Sequence, residues 1–104
     1  MYSPSHLEVA ILNYLNENDI TVPIKGVLQE TMYENDDQIS SYSMSAVYKA
    51  LSNLVSRNIV ALGMRYGRSY SYYLTPTGVT FFRELSGIER GRKKRWEMKL
   101  DLLL

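Results

Sequence analysis

The order of local patterns in residues 42–78 restricts the possible folds of this chain more than any other feature. The segment reads YSMSAVYKALSNLVSRNIVALGMRYGRSYSYYLTPTG. It predicts a capped amphipathic helix, a strand, a tight turn containing glycine, a second strand and the start of another helix at Thr75-Pro76. A helix followed directly by a hairpin and a further helix predicts a small α+β fold.

The predicted helix of this segment has one apolar face and one polar face. The apolar face follows helical spacing and consists of Val47, Ala50, Leu51, Leu54 and Val55. Ser43 or Ser45 caps the beginning of the helix, and Asn58 suits the left-handed position after its end. Hydroxyl, amide and ammonium groups on the polar face can hydrogen-bond base edges in the major groove of DNA, although the same pattern also fits an ordinary surface helix. The candidate readers are Ser43, Ser45, Tyr48, Lys49, Ser52 and Asn53.

The strands predicted next, residues 59–66 and 70–75, form a hairpin. Gly67 and Arg68 make a two-residue turn with glycine first, which favours type II′. Aromatic residues occupy both faces of the second strand, so the sequence leaves the pairing register open. Guanidinium groups beside a tight turn suit phosphates or a narrow minor groove, which makes Arg65, Arg68 and Tyr70 candidate contacts. The alternative is a solvated turn in which arginine stems cover tyrosine rings.

A first helix is predicted near the N-terminus. Ser5 and Glu8 form a capping box, or else Ser3 caps the helix with Pro4 at its first position. Its inward face consists of Leu7, Ala10, Ile11, Tyr14 and Leu15. His6, the only histidine, is expected at the surface or near the cap.

Residues 20–41 predict less regular structure. We expect a very short strand at residues 20–22 and a second helix that begins at Pro23. Its inward residues are predicted to be Ile24, Val27, Leu28 and Met32. Residues 34–41 are acidic and lack periodicity, so we expect a solvated loop; they also lack the glycine and the final glutamate of an EF-hand calcium loop.

The segment after Pro76 predicts a long helix with one apolar stripe. Such a helix is too long to be buried against so small a domain, so part of the stripe needs a partner. The residues predicted to form a dimer contact are Leu85, Ile88, Trp96, Leu100 and Leu103. Five cations nearby are candidate phosphate contacts, with a solvated helix as the alternative: Arg90, Arg92, Lys93, Lys94 and Arg95. We therefore predict a core at residues 1–86 and a C-terminal helical extension at residues 87–104 within the same domain.

Charge is divided unevenly along the chain. Residues 1–40 carry seven acidic side chains and one lysine, a net charge of −6. Residues 41–104 carry eleven basic and four acidic side chains, a net charge of +7. This division can turn one face toward a polyanion while the other repels it, although a chance division of surface charge is the alternative.

Composition excludes several classes of protein. The chain has no cysteine, which excludes disulfides, cysteine catalysis and zinc fingers and fits the cytoplasm. It has no signal-peptide pattern and no apolar run long enough to span a membrane. No paired carboxylates, metal-ligand spacing, nucleophile elbow or phosphate loop is present, so we expect a protein that is not an enzyme and needs no cofactor or metal. No pattern identifies a small-molecule effector.

With these residues in view, the chain resembles the winged helix-turn-helix transcriptional regulators of the MarR and PadR kind. SMSAVYKALSNLVSRNIV is similar to their recognition helix running into the first wing strand, and YYLTPTG to the second wing strand and the following helix. The resemblance implies a three-helix core with a hairpin wing, and homodimers that bind near-palindromic DNA. By position, it implies groove-facing roles for Ser45, Tyr48, Lys49 and Ser52, and wing contacts for Arg65 and Arg68. The segment from residue 34 to 42 is longer than the turn of a plain helix-turn-helix.

Three functions fit these features. The first is a small homodimeric repressor of transcription that binds double-stranded DNA. The second is a plasmid or phage partition protein that loads onto repeated sites. The third is a winged-helix module for protein–protein assembly, in which the Trp96 and leucine stripe is the working surface and DNA is not bound.

Overall fold

The computed structural model describes residues 2–87, and these form five helices and one antiparallel sheet. The elements are α1 (His6–Glu17), β1 (Val27–Leu28), α2 (Gln29–Asn35), α3 (Asp37–Ser40), α4 (Met44–Ser56), β2 (Val60–Tyr66), β3 (Ser69–Leu74) and α5 at residues 76–87. The strand order in the sheet is β1-β3-β2, so the β2–β3 hairpin forms one side of it. The predicted α+β class is confirmed.

The core lies between α1, α4, the sheet and the start of α5. Its buried apolar residues are Leu7, Ala10, Ile11, Leu12, Leu15, Met32, Ile39, Val47, Ala50, Leu51, Leu54, Ile59, Val60, Tyr72, Leu74 and Phe82. Full burial of an aliphatic side chain of this size contributes about 1.5–3 kcal/mol to the stability of the fold. The packing of these residues therefore fixes the positions of α4 and the hairpin relative to α1. Within residues 2–87, no helix combines the length and the hydropathy that a bilayer crossing requires.

The capping box of α1 selects between the two starts that the sequence allowed. The Ser5 backbone N–H donates to Glu8 Oε1 at 2.9 Å, and the Glu8 N–H donates to Ser5 Oγ at 3.2 Å. The helix therefore begins after Ser5, and His6 is an exposed residue of its first turn.

The prediction of a second helix from Pro23 is wrong. Pro23 starts only a three-residue 3-10 turn, and Val27 and Leu28 then pair with β3 before α2 begins at Gln29. The expected inward position of Ile24 is also wrong, since this side chain is 71% exposed. Val27 and Leu28 are half-buried, and Met32 is fully buried as predicted. The expected strand at residues 20–22 is absent, although the Ile20 carbonyl accepts a hydrogen bond from Leu74 N at 2.7 Å.

The prediction of a loop at residues 34–41 is wrong as well. Residues 34 and 35 belong to α2, and Asp37–Ser40 form the short helix α3. The Asp36 carboxylate caps α3 by accepting from Ile39 N at 3.0 Å, and Ile39 is completely buried. One capping residue and one apolar anchor thus make a helix where the polar composition had indicated a solvated turn.

The hairpin has the two-residue turn that the sequence predicted. Tyr66 pairs with Ser69 across the turn, and Gly67 has φ +62° whereas Arg68 has no positive φ. This sequence of signs is that of a type II′ turn. The register, which the sequence left open, contains one irregularity between Leu62 and Arg65.

The end of α4 is joined to the hairpin and to α5 through Thr75. Asn58 follows α4 with φ +60°, as its predicted left-handed role requires. Thr75 Oγ1 lies 2.6 Å from the Asn58 carbonyl oxygen and 3.0 Å from that of Ile59, and it accepts from Gly78 N at 2.9 Å. These bonds fix the orientation of the hairpin relative to α4.

Candidate nucleic-acid interface

Four of the predicted reader residues form one exposed row on α4. Ser45, Tyr48, Lys49 and Ser52 follow the spacing i, i+3, i+4 and i+7, and all four are exposed, Tyr48 to 58%. The opposite face of α4 is buried because it carries the apolar residues of the core. The row therefore presents two hydroxyls, a phenol and an ammonium group to solvent from a rigid helix.

Ser43 does not belong to this row. Its Oγ accepts from Ala46 N at 3.1 Å, so Ser43 and not Ser45 is the cap of α4. The cap satisfies one of the free N–H groups of the first turn, so the Ser45 hydroxyl is not needed for capping. The positive end of the helix dipole lies in this same turn and favours a nearby anion.

Asn53 lies apart from the exposed row. Its Nδ2 donates to Glu8 Oε2 at 2.6 Å, which ties α4 to α1. Glu8 is only 6% exposed and also accepts from the Ser5 backbone. Burial alone would raise the pKa of Glu8, but hydrogen bonds from the Ser5 backbone and the Asn53 side chain outweigh it and lower that pKa. We therefore assign Asn53 to the support of α4 and leave it out of the proposed interface.

Replacing Asn53 with alanine is expected to destabilise the fold by about 1–3 kcal/mol at neutral pH, because a buried carboxylate loses a donor. Because the pKa of Glu8 is lower in the folded protein than in the unfolded chain, its carboxylate stabilises the fold at any pH above its unfolded-state pKa. This stabilisation is lost as the pH falls through the folded-state pKa of Glu8. The cost of Asn53→Ala should consequently shrink in denaturant titrations at progressively lower pH. Ser52→Ala, one position earlier and exposed, should change stability by less than about 0.5 kcal/mol. A cost that does not depend on pH would contradict the role of Glu8.

The hairpin and α4 enclose an open groove of about 330 Å³. Tyr48 contributes from α4, and the hairpin contributes Arg68, Ser69, Tyr70 and Tyr72. Burial, followed by the nearby Tyr48 and Glu30, raises the pKa of the Tyr72 phenol above its ordinary value. The groove thus combines the Arg68 guanidinium and several hydroxyls, which suit a phosphate backbone, with one carboxylate, that of Glu30.

Two residues of this groove were not identified from the sequence. Gln29 and Glu30 line it from the first turn of α2, and Gln29 Nε2 donates to the Met44 carbonyl oxygen at 2.9 Å. This bond holds the start of α2 against the first turn of α4. The sequence did not indicate either residue, because the expected helix from Pro23 would have placed both of them in the middle of a helix and not in a first turn beside α4.

The other predicted residues of the hairpin are also exposed. Arg65 and Tyr70 are cross-strand partners, and the Arg65 guanidinium carbon lies 5.1 Å from the centre of the Tyr70 ring. This cation–π contact is the arrangement that the sequence offered as an alternative to phosphate contact. Because both side chains remain exposed, the guanidinium edge is still free to bind an anion.

A second open groove of about 510 Å³ lies between α4 and the first turn of α1. His6 and Lys49 line it together with Tyr42, Ala46 and Asn53. Lys49 is therefore the member of the exposed row that also lines this second groove. Among the described residues, no cluster of acidic or histidine side chains has the arrangement of a metal site.

The C-terminal candidates are described only in part. Leu85 is half-buried and lines a cavity of about 590 Å³ together with α1, α3 and Phe82. The remaining predicted dimer and phosphate residues lie outside the described residues: Ile88, Trp96, Leu100, Leu103, Arg90, Arg92, Lys93, Lys94 and Arg95.

No protein-family model and no curated protein matches the chain. Similar solved structures include TubR from Bacillus megaterium pBM400, with 20% identity, a TM-score of 0.67 and coverage of 78% of this chain and 84% of that one. The crystal structure of the S. aureus MepR–DNA complex has 17% identity and a TM-score of 0.69, with 96% of this chain and 76% of that chain covered. The chain has a winged helix-turn-helix fold. The solution structure of the DNA-binding TubR fragment from Clostridium botulinum is also similar, with 26% identity, a TM-score of 0.62 and coverage of 81% of this chain and 99% of that one.

In this fold α4 has the position that is called the recognition helix and the β2–β3 hairpin has that of the wing, as the sequence resemblance implied. The segment between α2 and α4 contains α3, which accounts for its length beyond a plain helix-turn-helix. The predicted fold is confirmed, except that the C-terminal extension lies outside the described residues.

Proposed function

We propose that this protein binds double-stranded DNA in a sequence-specific manner and represses transcription by occupying its site. The observation that carries the proposal is the exposed row on the recognition helix, placed beside a wing groove that contains Arg68. The row enters the major groove, where lysine addresses guanine and serine addresses several bases. The wing contacts phosphates and fixes the orientation of the helix. The protein acts as a binding protein in the cytoplasm and not as an enzyme.

The distribution of charge supports this proposal. Within residues 2–40 the net charge is −6, whereas residues 41–87, which include the recognition helix and wing, carry five basic side chains and one acidic side chain. The similar structures provide further support, because they include a MepR–DNA complex and a DNA-binding fragment of TubR. The affiliation with MarR- and PadR-type regulators is part of the same proposal.

Selection from random duplexes tests the proposal directly. The purified protein would be titrated against random-sequence DNA at two salt concentrations, and the bound fraction would be sequenced. We expect salt-sensitive binding and enrichment of one inverted repeat, because neutralised phosphates release counterions and a dimer reads two half-sites. Salt-insensitive or absent binding would overturn DNA binding and favour protein–protein assembly.

We further propose that the protein is a homodimer formed through its C-terminal stripe. The sequence stripe of Leu85, Ile88, Trp96, Leu100 and Leu103 supplies the apolar surface. A two-fold dimer would place two recognition helices about 34 Å apart, on successive major grooves of one face of the DNA.

Replacing both Leu100 and Leu103 with glutamate is expected to shift the protein toward a monomer, because charges would replace apolar contacts. Sedimentation velocity at several concentrations measures the change. Exchanging Glu97 and Asp101 for alanine in the same segment is the control, since it leaves the apolar stripe intact. A dimer that persists in the double-glutamate variant would contradict the C-terminal interface.

A partition role is the second candidate function. It is favoured by the neighbours, since two of them are TubR proteins, and the TubR fragment is covered over 99% of its length. TubR is a plasmid partition DNA-binding protein, and MepR is a repressor. Enrichment of direct repeats with cooperative loading would favour partition, whereas a single inverted repeat would favour repression.

Replacing Arg68 with alanine is expected to weaken binding to all DNA sequences about equally. Arg68 lines the wing groove next to Tyr48 and offers its guanidinium to phosphate, which carries no sequence information. Each lost phosphate contact should lower the magnitude of the salt slope, the negative slope of log K against log salt, by about 0.9. Fluorescence anisotropy with a selected site and a scrambled site measures both effects. A loss confined to the selected site would show that Arg68 reads bases instead.

A further inference from the structure

The irregularity in the wing is a one-residue bulge. Leu62 is opposed to Tyr72 and Arg65 to Tyr70, so Gly63 and Met64 of β2 together face the single residue Ser71 of β3. Such a bulge leaves one backbone group without a partner in the ladder and changes the alternation of side chains along its strand.

Ser71 holds this bulge from the face of the sheet that the turn at Pro23–Lys25 covers. The Ser71 side chain is completely buried, and its Oγ donates to the Met64 carbonyl oxygen at 2.6 Å. A buried serine hydroxyl therefore satisfies a carbonyl oxygen of the bulge itself.

Gly63 and Gly26 both pack closely against the Ser71 side chain. A Cβ added at Gly63 would lie 2.8 Å from Ser71 Oγ and 2.7 Å from the Pro23 carbonyl oxygen. A Cβ added at Gly26 would overlap Ser71 Oγ and approach its Cβ to 2.8 Å. The turn at Pro23–Lys25 thus packs against the bulge only because neither glycine carries a side chain.

The bulge decides which face of the wing carries Arg65. Opposed residues of an antiparallel pair share a face, and the buried pair Val60 and Leu74 defines the inner one. In a regular ladder Met64 would be opposed to Tyr70, and Arg65 would lie on the outer face. With the extra residue, Arg65 is opposed to Tyr70 and shares its face.

This inner face is the one turned toward the recognition helix. Tyr70 and Tyr72 belong to it, and both line the groove that Tyr48 of α4 borders. We infer that the bulge held by Ser71, Gly63 and Gly26 is a positioning device that directs the Arg65 guanidinium to the DNA-facing side of the wing. This inference rests on the proposed DNA binding. Ser71 acts through Arg65 and makes no contact of its own with DNA.

An exchange of two neighbouring residues tests the inference without a change in composition. The variant Met64→Arg with Arg65→Met moves the guanidinium by one position, and both sites are exposed, so the core is not altered. We expect it to match Arg65→Ala, with the salt slope lowered by about 0.9 and the melting temperature unchanged. Wild-type binding by the exchanged variant would overturn the inference.

A double-mutant cycle separates positioning from general support of the fold. Ser71→Ala should lower the salt slope in the wild-type background and have no further effect in the Arg65→Ala background. An equal loss in both backgrounds would show a structural role only. If Arg65→Ala binds like the wild type while Arg68→Ala is weakened, the inference fails and the proposed function stands. If the wild-type protein shows no salt-sensitive binding, the proposed function fails with it.

Discussion

Replacing Gly78 with alanine is expected to destabilise the fold by about 1–3 kcal/mol, the cost of forcing atoms into a well-packed site. The added Cβ would overlap the Ile59 carbonyl oxygen and would lie 2.8 Å from Leu74 Cδ1. The atom in the way is backbone between the recognition helix and β2, so relief requires α5 to move away from this junction. Each kcal/mol lost corresponds to roughly 4–8 °C in Tm for a domain of this size.

Gly87 provides the matched control on the same helix. Among residues 2–87, no atom lies within 4 Å of a Cβ added there, and Gly87 has no positive φ. Gly87→Ala should therefore leave stability unchanged or raise it by about 0.4–1 kcal/mol, through lower entropy of the unfolded chain. Thermal melts of the two variants measure the difference. Equal melting temperatures would show that α5 does not need its close approach to Ile59.

The recognition helix and wing could be predicted because their signals are local. Ser43 caps the helix by accepting a hydrogen bond from the backbone N–H three residues later. Asn58 adopts the left-handed conformation, which asparagine tolerates better than most residues. Gly67 and Arg68 specify their own turn. In each case the residue that determines the structure lies within a few positions of the structure that it determines.

The segment between α1 and α4 could not be predicted because its determinants are distant in sequence. β1 exists only through its pairing with Tyr72 and Ser71 of β3. Gly26 is required where the chain meets Ser71, and the predicted helix from Pro23 gave no indication of this contact. Ile39 is an isolated apolar residue in a polar stretch, so the sequence had no periodic pattern from which α3 could be predicted.

The candidate site shows the same division. The row from Ser45 to Ser52 follows from helical spacing, and the structure exposes all four of its members. Asn53 belongs to the same helix, but its amide bonds Glu8, 45 positions away in the chain. The bulge that places Arg65 depends on Ser71 and on a turn near Pro23, so the register could not be read from the hairpin alone.

Replacing Lys49 with alanine is expected to weaken binding to a selected site by about 1–3 kcal/mol and to relax the sequence preference. Lys49 is exposed in the middle of the row, where its ammonium group can donate to guanine O6 and N7. The expected loss corresponds to an increase in Kd of about fivefold to 150-fold. Anisotropy titrations against the selected site and its single-base variants measure both effects.

Arg83→Ala is the control for this experiment, because it removes one positive charge from α5 at an exposed position that lines neither groove beside the recognition helix. It should change binding far less than Lys49→Ala and leave the sequence preference intact. The comparison with Arg68→Ala separates the two kinds of contact, since a wing contact to phosphate weakens all sequences alike. A Lys49→Ala protein that retains the wild-type base preference would remove Lys49 from the reading surface, and the remaining specificity would then have to come from Ser45, Tyr48 and Ser52.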